Sequence, residues 1–271
     1  MIPMSIRHWI FLGLLLVIVA AMLANISLVT IPSAESIKFH DFLDSLPAGS
    51  TVIVSFDHEA SALPEIRPLS VAVLRHLFSH GHKLIGLALL AEGTGIGNQM
   101  MEQVAGEYHK SYGSDYVYLG YQPQPIAAII SMGESLKKTF PTDYFSRPYD
   151  SLAILSSVTN LAQVAAVVSI ADGNLTTHWI EYGHARYNVP VVGAVTGAMM
   201  TSYDPYLASG QLAAMVGGLR GAAEYETLIG QRGSGARGML AQTTGHLYVI
   251  AMILAGNIIY FVARRRGRGG R

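Results

Sequence analysis

The residues best placed for chemistry are polar side chains that directly follow apolar, β-branched runs. In open parallel sheets, ligands bind at the carboxyl ends of the strands. Carboxylates at such an edge could bind a cation or perform acid–base chemistry. The alternative is that they cap or turn loops, as aspartate commonly does after a strand. The residues predicted for this ligand site are Asp57, Glu59, Glu92, Gly93, Thr94, Gly95, Asp172 and Thr196. Their pattern assigns no catalytic role.

The glycine-rich turn at Gly93–Gly97 follows a predicted strand. Glycines between a strand and a helix let backbone amides approach an anion, and the helix N-terminus favours negative charge. The pattern is G-x-G-x-G, however, and lacks both the dinucleotide fingerprint G-x-G-x-x-G and a Walker lysine. A tight strand-to-helix turn is the simpler interpretation, and no cofactor is predicted.

Three histidines, His76, His80 and His82, cluster at the end of a predicted helix. Two histidines four residues apart share a helical face and are able to ligate a metal together. Histidines in a last helical turn also complement the helix dipole. Because no motif supplies a third ligand, the sequence favours the dipole interpretation, and no metal site is predicted.

Tyrosines are concentrated in one part of the chain, where they could line a cleft for a sugar or peptide. Aromatic residues beside strands are more often part of a core or an interface. The chain also lacks a G-x-S-x-G nucleophile elbow, the usual sign of an α/β hydrolase. The tyrosines in question are Tyr116, Tyr118, Tyr121, Tyr144 and Tyr149.

Continuously apolar strands alternate with helical patterns, which is typical of a parallel sheet covered by helices on both faces. We therefore predict an α/β fold with a parallel, doubly wound sheet of about five strands, Rossmann- or flavodoxin-like, flanked by N- and C-terminal transmembrane helices. The predicted strands are 51–56, 83–91, 115–121, 165–171 and 189–195.

A long Ala/Gly-rich helix is predicted over residues 206–229. Small residues on one helix face permit close contact with another helix, either within the domain or between subunits, so a homo-oligomer is one expectation. The face consists of Gly210, Ala214, Gly217, Gly218, Gly221 and Ala222.

Three segments carry a resemblance to a family of proteins. They are YGSDYVYLGY from Tyr112, TFPTDY from Thr139 and GGLRGAAEYE from Gly217. Over about residues 50–229 the chain resembles a family of uncharacterised bacterial membrane-anchored α/β proteins. The resemblance implies the fold and a membrane context, and it implies no activity, cofactor or site residue.

Two uncharged apolar runs, 9–31 and 245–263, are each long enough to cross a bilayer. Arg7 precedes the first run. Five arginines in the tail 264–271 follow the second, which places both termini in the cytoplasm and the intervening domain outside. Two arginines before the second run, in the segment 230–244, weigh against this orientation but are outnumbered.

The first run also fits a signal peptide, but it is longer than the usual apolar region and lacks a clean cleavage site, which favours an uncleaved anchor. The predicted organisation is a transmembrane helix at 9–31, a juxtamembrane segment at 32–50, an α/β domain at 51–229, a flexible linker at 230–244, a transmembrane helix at 245–263 and an Arg-rich cytoplasmic tail at 264–271.

Composition narrows the class of function. The chain contains 18 basic and 18 acidic residues, and without the tail arginines it is mildly acidic, which argues against a nucleic-acid surface. It has no cysteine, which excludes disulfides and thiolate sites. The expected function is a noncatalytic, membrane-tethered domain that binds other membrane proteins or assembles with itself. The alternative is an extracytoplasmic enzyme or small-ligand sensor that uses the carboxyl edge.

Overall fold

The computed structural model describes residues 6–24 and 30–268. They form two compact units, one with the two terminal apolar helices and the other an α/β unit comprising residues 30–235. Each unit is described by itself.

The α/β unit contains one sheet of six parallel strands in the order β3-β2-β1-β4-β5-β6. This order confirms the predicted doubly wound α/β fold and adds one strand to the predicted five. The strands are β1 (Thr51–Asp57), β2 (Lys83–Ala88), β3 (Tyr116–Tyr121), β4 (Ala166–Ala171), β5 (Val191–Val195) and β6 (Ala214–Gly217).

Helices connect the strands and cover both faces of the sheet. Short 3₁₀ turns at Tyr149–Ser151, Ala153–Ser157 and Leu161–Gln163 lie within the long β3–β4 connection. A π-helical stretch, Trp179–His184, joins two short helices after β4. The α-helices are α1 (Ile6–Leu23), α2 (Ala34–Asp44), α3 (Leu63–Ser79), α4 (Gly93–Glu107), α5 (Pro125–Glu134), α6 (Leu136–Thr139), α7 (Leu175–His178), α8 (Ala185–Tyr187), α9 (Gly197–Ala208), α10 (Gly218–Leu228) and α11 (Gly235–Arg268).

Alternating strand residues build two separate cores, one on each face of the sheet. In β1, Val52 and Val54 pack toward α2, α3, α4 and α10, whereas Ile53 packs toward α5, the π-helical stretch after β4 and α9. All seven residues of β1 are buried, as expected for a central parallel strand covered on both faces.

The predicted helix over residues 206–229 is wrong. Helix α9 ends at Ala208, β6 follows at the edge of the sheet, and α10 begins at Gly218. Gly218, at the junction of β6 and α10, has φ +74°, a left-handed conformation that a continuous helix over 206–229 would not contain. The small residues from Gly210 to Ala222 therefore do not share one helix face, and the oligomer expectation loses that basis.

The first residues of the α/β unit are fastened to its last helix. Ser33 caps α2, and its N–H and Oγ both donate to Glu224 Oε2, at 3.0 and 2.6 Å. The Thr30 and Thr227 hydroxyls lie 3.3 Å apart, and the Gly235 N–H donates to Glu226 Oε1 at 2.7 Å. The two ends of the unit therefore lie close together at one surface.

The other unit contains α1 and α11, both long and apolar enough to cross a membrane. Within it, Tyr248 Oη donates to the Ile10 carbonyl at 2.9 Å. Helix α11 begins ten residues before the predicted span and includes much of the stretch predicted as a linker. Residues 25–29 of the first predicted span and residues 269–271 of the tail lie outside the described residues.

Candidate functional site

The predicted site lies at the carboxyl edge of the sheet, where β1 pairs with β2 on one side and with β4 on the other. From β1 the chain winds outward to β3, and from β4 it winds in the opposite direction to β6. The crevice between the β1 and β4 loops is thus the topological switch point at which doubly wound sheets bind ligands.

Asp57, at the end of β1, is fully buried and accepts three hydrogen bonds. The donors are Ser55 Oγ at 2.6 Å, the Leu89 N–H at 2.7 Å and Trp179 Nε1 at 3.4 Å. Burial raises the pKa of Asp57 to about 6, although the three donors favour the ionised form. The carboxyl group thereby links β1 to the loop after β2 and to the helical segment after β4.

Three other carboxylates at this edge also accept backbone amides from neighbouring loops. Asp172 Oδ2 accepts the Glu59 N–H at 2.8 Å, and Glu92 Oε2 accepts the Ala60 N–H at 3.1 Å. Glu65 Oε1, at the start of α3, accepts the N–H of the first residue of α9 at 2.5 Å. Three of the four predicted carboxylates, Asp57, Glu92 and Asp172, are therefore acceptors that, together with Glu65, join the loops following β1, β2, β4 and β5. The fourth, Glu59, is exposed, and its carboxylate accepts from Ser61 Oγ at 3.3 Å.

The glycine-rich turn is explained by close packing. A Cβ at Gly93 would lie 2.0 Å from the Phe56 carbonyl oxygen, and one at Gly97 would lie 2.6 Å from the Phe56 ring. Helix α4 therefore approaches β1 at a distance that only glycine permits. Gly95, by contrast, has open space where a Cβ would stand. Thr94, in the first turn of α4, has a buried Oγ1 with no partner among the described residues.

His58 is a buried imidazole directly at the switch point. Its Nδ1 lies 3.2 Å from the Glu59 carbonyl oxygen, and because a carbonyl only accepts, Nδ1 carries the proton. Burial lowers the pKa of His58, so the ring is neutral and Nε2 is an acceptor. This Nε2 is buried with no partner in the described part of the chain. Thr196 is also buried here, and its N–H bonds the Ala171 carbonyl at 3.3 Å.

A second feature lies on the outer side of the edge strand β3. We name residues 143–147 the aromatic loop. Asp143 is 4% exposed, and its Oδ1 accepts the N–H groups of Phe145 and Arg147 at 2.9 and 2.7 Å. Tyr112 Oη donates to Oδ2 at 2.9 Å. Burial is the main cause that raises the pKa of Tyr112, and this hydrogen bond is the second. One buried carboxylate thus fixes the backbone of the whole loop.

The aromatic loop presents two exposed rings in a fixed arrangement. Tyr144 and Phe145 are 42% and 48% exposed, with ring centroids 5.3 Å apart. The Arg147 guanidinium lies 5.0 Å from the Tyr112 ring centroid and 5.7 Å from that of Phe145, within cation–π range. The Tyr144 N–H also donates to the Tyr118 carbonyl at 2.9 Å, so the loop partly covers the free edge of β3.

The chain matches no protein-family model, no curated protein and no solved structure. The resemblance to membrane-anchored bacterial proteins therefore stays a prediction.

Sequence reasoning missed two of the residues that organise these sites. Glu65 has no signal, because its partner is the amide of Gly197, more than a hundred residues away. Asp143 does have one: aspartate followed by a short polar and aromatic stretch often bonds the backbone two residues further on. Of the five clustered tyrosines, Tyr116, Tyr118 and Tyr149 are buried, whereas Tyr121 and Tyr144 are exposed.

Proposed function

We propose that this protein is a membrane-tethered, noncatalytic α/β domain that recognises a protein partner through the aromatic loop. The observation that carries the proposal is an exposed pair of rings on a backbone fixed by buried Asp143. Aromatic residues such as tyrosine, and also arginine, are enriched at the centres of protein interfaces. A loop held in one conformation loses little entropy on binding, which favours affinity.

The partner chemistry follows from the side chains of the loop. Tyr144 and Phe145 offer apolar area, and Arg147 is exposed and forms no ion pair with the described residues. A complementary surface would combine apolar side chains with a carboxylate that can accept both arms of the guanidinium. We therefore propose a protein partner with an acidic, partly apolar patch, rather than a nucleic acid.

The state of the carboxyl edge supports a noncatalytic function. Asp57, Glu65, Glu92 and Asp172 each accept a backbone N–H from another loop. A general acid or base must reach the proton that it transfers, and Asp57 is wholly buried under three donors. These four carboxylates therefore hold the loops together rather than perform acid–base chemistry.

For the membrane context, we propose that both α1 and α11 cross the cell membrane. Arginines at Arg264 and Arg265 immediately follow the apolar part of α11, and cytoplasmic flanks are rich in such residues. The proposed topology has two passes, both termini in the cytoplasm and the α/β unit outside. The aromatic loop would then meet partners in the periplasmic or extracellular space.

The proposal is tested by native mass spectrometry of the full chain, solubilised in mild detergent from its own membranes. We expect a complex with a second protein, which the double variant Tyr144→Ser/Phe145→Ser loses while its melting temperature stays within a few degrees of the original. The matched control is Ile37→Ser, an equally exposed apolar residue on α2, which should keep the complex. A monomer in the original chain, or an intact complex in the double variant, contradicts the proposal.

One observation favours a second candidate, a sensor for a small ligand. His58 Nε2 and Thr94 Oγ1 are buried with no partner among the residues that the structure describes, in segments that follow the neighbouring strands β1 and β2. An unsatisfied buried polar atom costs about 1–3 kcal/mol, which a bound donor would recover. In the same experiment, a monomer that carries a small-molecule mass, lost in His58→Phe, would support the sensor function. A monomer with no added mass would contradict it.

A further inference from the structure

A different cluster of polar side chains lies at the opposite, amino edge of the sheet. Helix α2 contributes His40 and Asp44, and helix α3 contributes His76 and His80. Residues four apart lie one turn above each other on the same helical face. Each helix therefore presents a pair of metal-binding groups, and the two pairs face one another.

The distances bring ligand atoms of His40, Asp44 and His76 around one point, with His80 Nε2 beside Asp44. Asp44 Oδ1 lies 2.8 Å from His76 Nε2 and 3.2 Å from His80 Nε2, and Asp44 Oδ2 lies 3.6 Å from His40 Nδ1. One ligand atom from each of His40, Asp44 and His76 lies within 4.8 Å of the others. In a tetrahedral zinc site the ligand atoms are about 3.3 Å apart, given metal–ligand distances near 2.0–2.1 Å. The observed separations bracket that value.

In two of the imidazoles, the ring nitrogen that faces away from Asp44 already has a hydrogen-bonding partner. His76 Nδ1 lies 2.5 Å from the hydroxyl of Tyr225, and His80 Nδ1 lies 2.9 Å from the His76 carbonyl oxygen. Histidines that ligate metals characteristically donate their other N–H to such a partner, which fixes the ring and its tautomer. Because His80 Nδ1 faces a carbonyl, its Nε2 is the ring nitrogen that faces the Asp44 carboxylate, 3.2 Å away.

We propose that His40, Asp44, His76 and His80 form a zinc-binding site. Three imidazoles and one carboxylate match the nitrogen- and oxygen-ligated sites of Zn²⁺, whereas Mg²⁺ and Ca²⁺ prefer oxygen ligands alone. The carboxylate of Asp41, 3.2 Å from His40 Nδ1, is a competing partner from which His40 turns to reach the metal. The zinc ion would fasten α2, the first helix of the α/β unit, onto α3.

Only half of this site is visible in the sequence. The pair His76 and His80 stands out at the end of a helix, and the third histidine of that motif, His82, instead lies 3.1 Å from Ser50 Oγ through its Nδ1. The other half, His40 and Asp44, is brought in by the packing of α2. Sequence spacing alone thus supplied no third ligand, whereas the tertiary structure supplies two.

The test uses the full chain in detergent, without a polyhistidine tag and stripped of metal by a chelator. Zn²⁺ is titrated calorimetrically in competition with a chelator of known affinity, and Co²⁺ is used to report four-coordinate geometry by its visible absorption. We expect one zinc ion per chain and a higher melting temperature with zinc, because a ligand that binds only the folded state stabilises it.

Two variants at exposed ligands, Asp44→Ala and His80→Ala, keep the test independent of folding, since these side chains are 41% and 48% exposed. Loss of an outer hydrogen-bonding partner alone costs about 10–100-fold in metal affinity, so Asp44→Ala should weaken zinc binding more than about 100-fold. His109→Asn is the control: His109 is exposed and has φ +53°, which asparagine tolerates. It should bind zinc unchanged.

Two results would overturn the zinc site. One is the absence of stoichiometric zinc binding in the original chain. The other is equal zinc affinity in Asp44→Ala and in His109→Asn, which would locate the metal elsewhere. In either case the cluster around Asp44 is a hydrogen-bonded network and not a metal site. Because none of these residues lies in the aromatic loop, failure here leaves the proposed partner binding untouched.

Discussion

Single carboxylates at the carboxyl edge replace the hydrogen bonds that the loops cannot make with each other. Asp57 is the extreme case, since it serves Ser55, Leu89 and Trp179 without any contact with water. A buried donor left without its acceptor costs about 1–3 kcal/mol. Removal of the Asp57 carboxylate would therefore destabilise the fold, so a loss of ligand in that variant would be uninformative. For this reason His58, and not Asp57, is the residue whose substitution distinguishes a sensor from a scaffold.

Asp57 also makes the stability of the fold depend on pH. Its pKa in the folded protein is about 6, raised from 3.8. Below pH 3.8 both states are protonated, and the residue has no differential effect. As the pH rises from about 4 to 6, the unfolded state loses its proton first, so the folded state is disfavoured by up to about 3 kcal/mol, and the penalty persists above pH 6.

The variant Asp57→Asn removes this titration. We expect the free energy of unfolding of the original chain, measured relative to Asp57→Asn, to fall between pH 4 and pH 6, and to be flat above about pH 7. Denaturant unfolding followed by the near-ultraviolet signal of buried Trp179 measures both proteins over that range. A difference that stays constant would show that burial does not raise the pKa of Asp57, and one that rises with pH would show that the fold lowers this pKa.

Gly93 and Gly95 give a residue-scale comparison within one helix turn. Gly93→Ala places a methyl group 2.0 Å from the Phe56 carbonyl and should destabilise the fold by about 3 kcal/mol. Gly95→Ala meets open space and should be neutral or stabilising by less than about 1 kcal/mol. Thermal unfolding measures the stability of both variants. Similar decreases in melting temperature in the two would mean that close packing does not explain the glycine pattern.

At the scale of elements, the aromatic loop is a preformed structure whose order depends on one side chain. Asp143→Ala removes the acceptor for the Phe145 and Arg147 amides, and the freed loop should become accessible to chymotrypsin at Tyr144 and Phe145. We expect cleavage at least about tenfold faster than in the original chain, measured by mass spectrometry of the fragments, because proteolysis follows the population of opened states.

The control for that cleavage is Asp150→Ala, which removes an exposed carboxylate that lies outside the loop and forms an ion pair with Lys137. This variant should be cut at the original rate. If Asp143→Ala is equally resistant, the loop does not depend on the buried carboxylate, and the pre-organisation argued for partner binding fails.

The same scale shows where sequence reasoning succeeds. The continuously apolar runs predicted β1 to β5, because burial on both faces of the sheet requires apolar residues at nearly every position of a strand. Strand β6 was missed, since it has only four residues, Ala214–Gly217, and alanine and methionine also favour helices. Tertiary pairing with β5 overrides that preference.

The carboxyl-edge site was predictable in place but not in role. Strand ends located Asp57, Glu92 and Asp172 at one edge, as the sheet confirms. Their roles depend on which loop amides come within 3.1 Å, and this is set by strand order, which the sequence does not encode locally. The facing of His40 and Asp44 toward α3 is a tertiary fact of the same kind.

At the scale of the whole molecule, the absence of cysteine makes the proposed topology directly measurable. A single cysteine at the exposed residue Ser156 should react with a membrane-impermeant maleimide in intact cells. One at Gly267 should react only after permeabilisation. Labelling in the reverse order would place the α/β unit in the cytoplasm and would invert the orientation drawn from the terminal arginines.

The α/β unit is attached at both of its ends, near Thr30 and at Gly235. If both helices cross the membrane as proposed, a protease that cuts the unit once releases nothing, because each fragment keeps its own anchor. Soluble shedding of the domain therefore requires two cuts, one near each attachment point. Under the proposed topology, partner binding would therefore stay at the surface of the membrane even after a single cut in the unit.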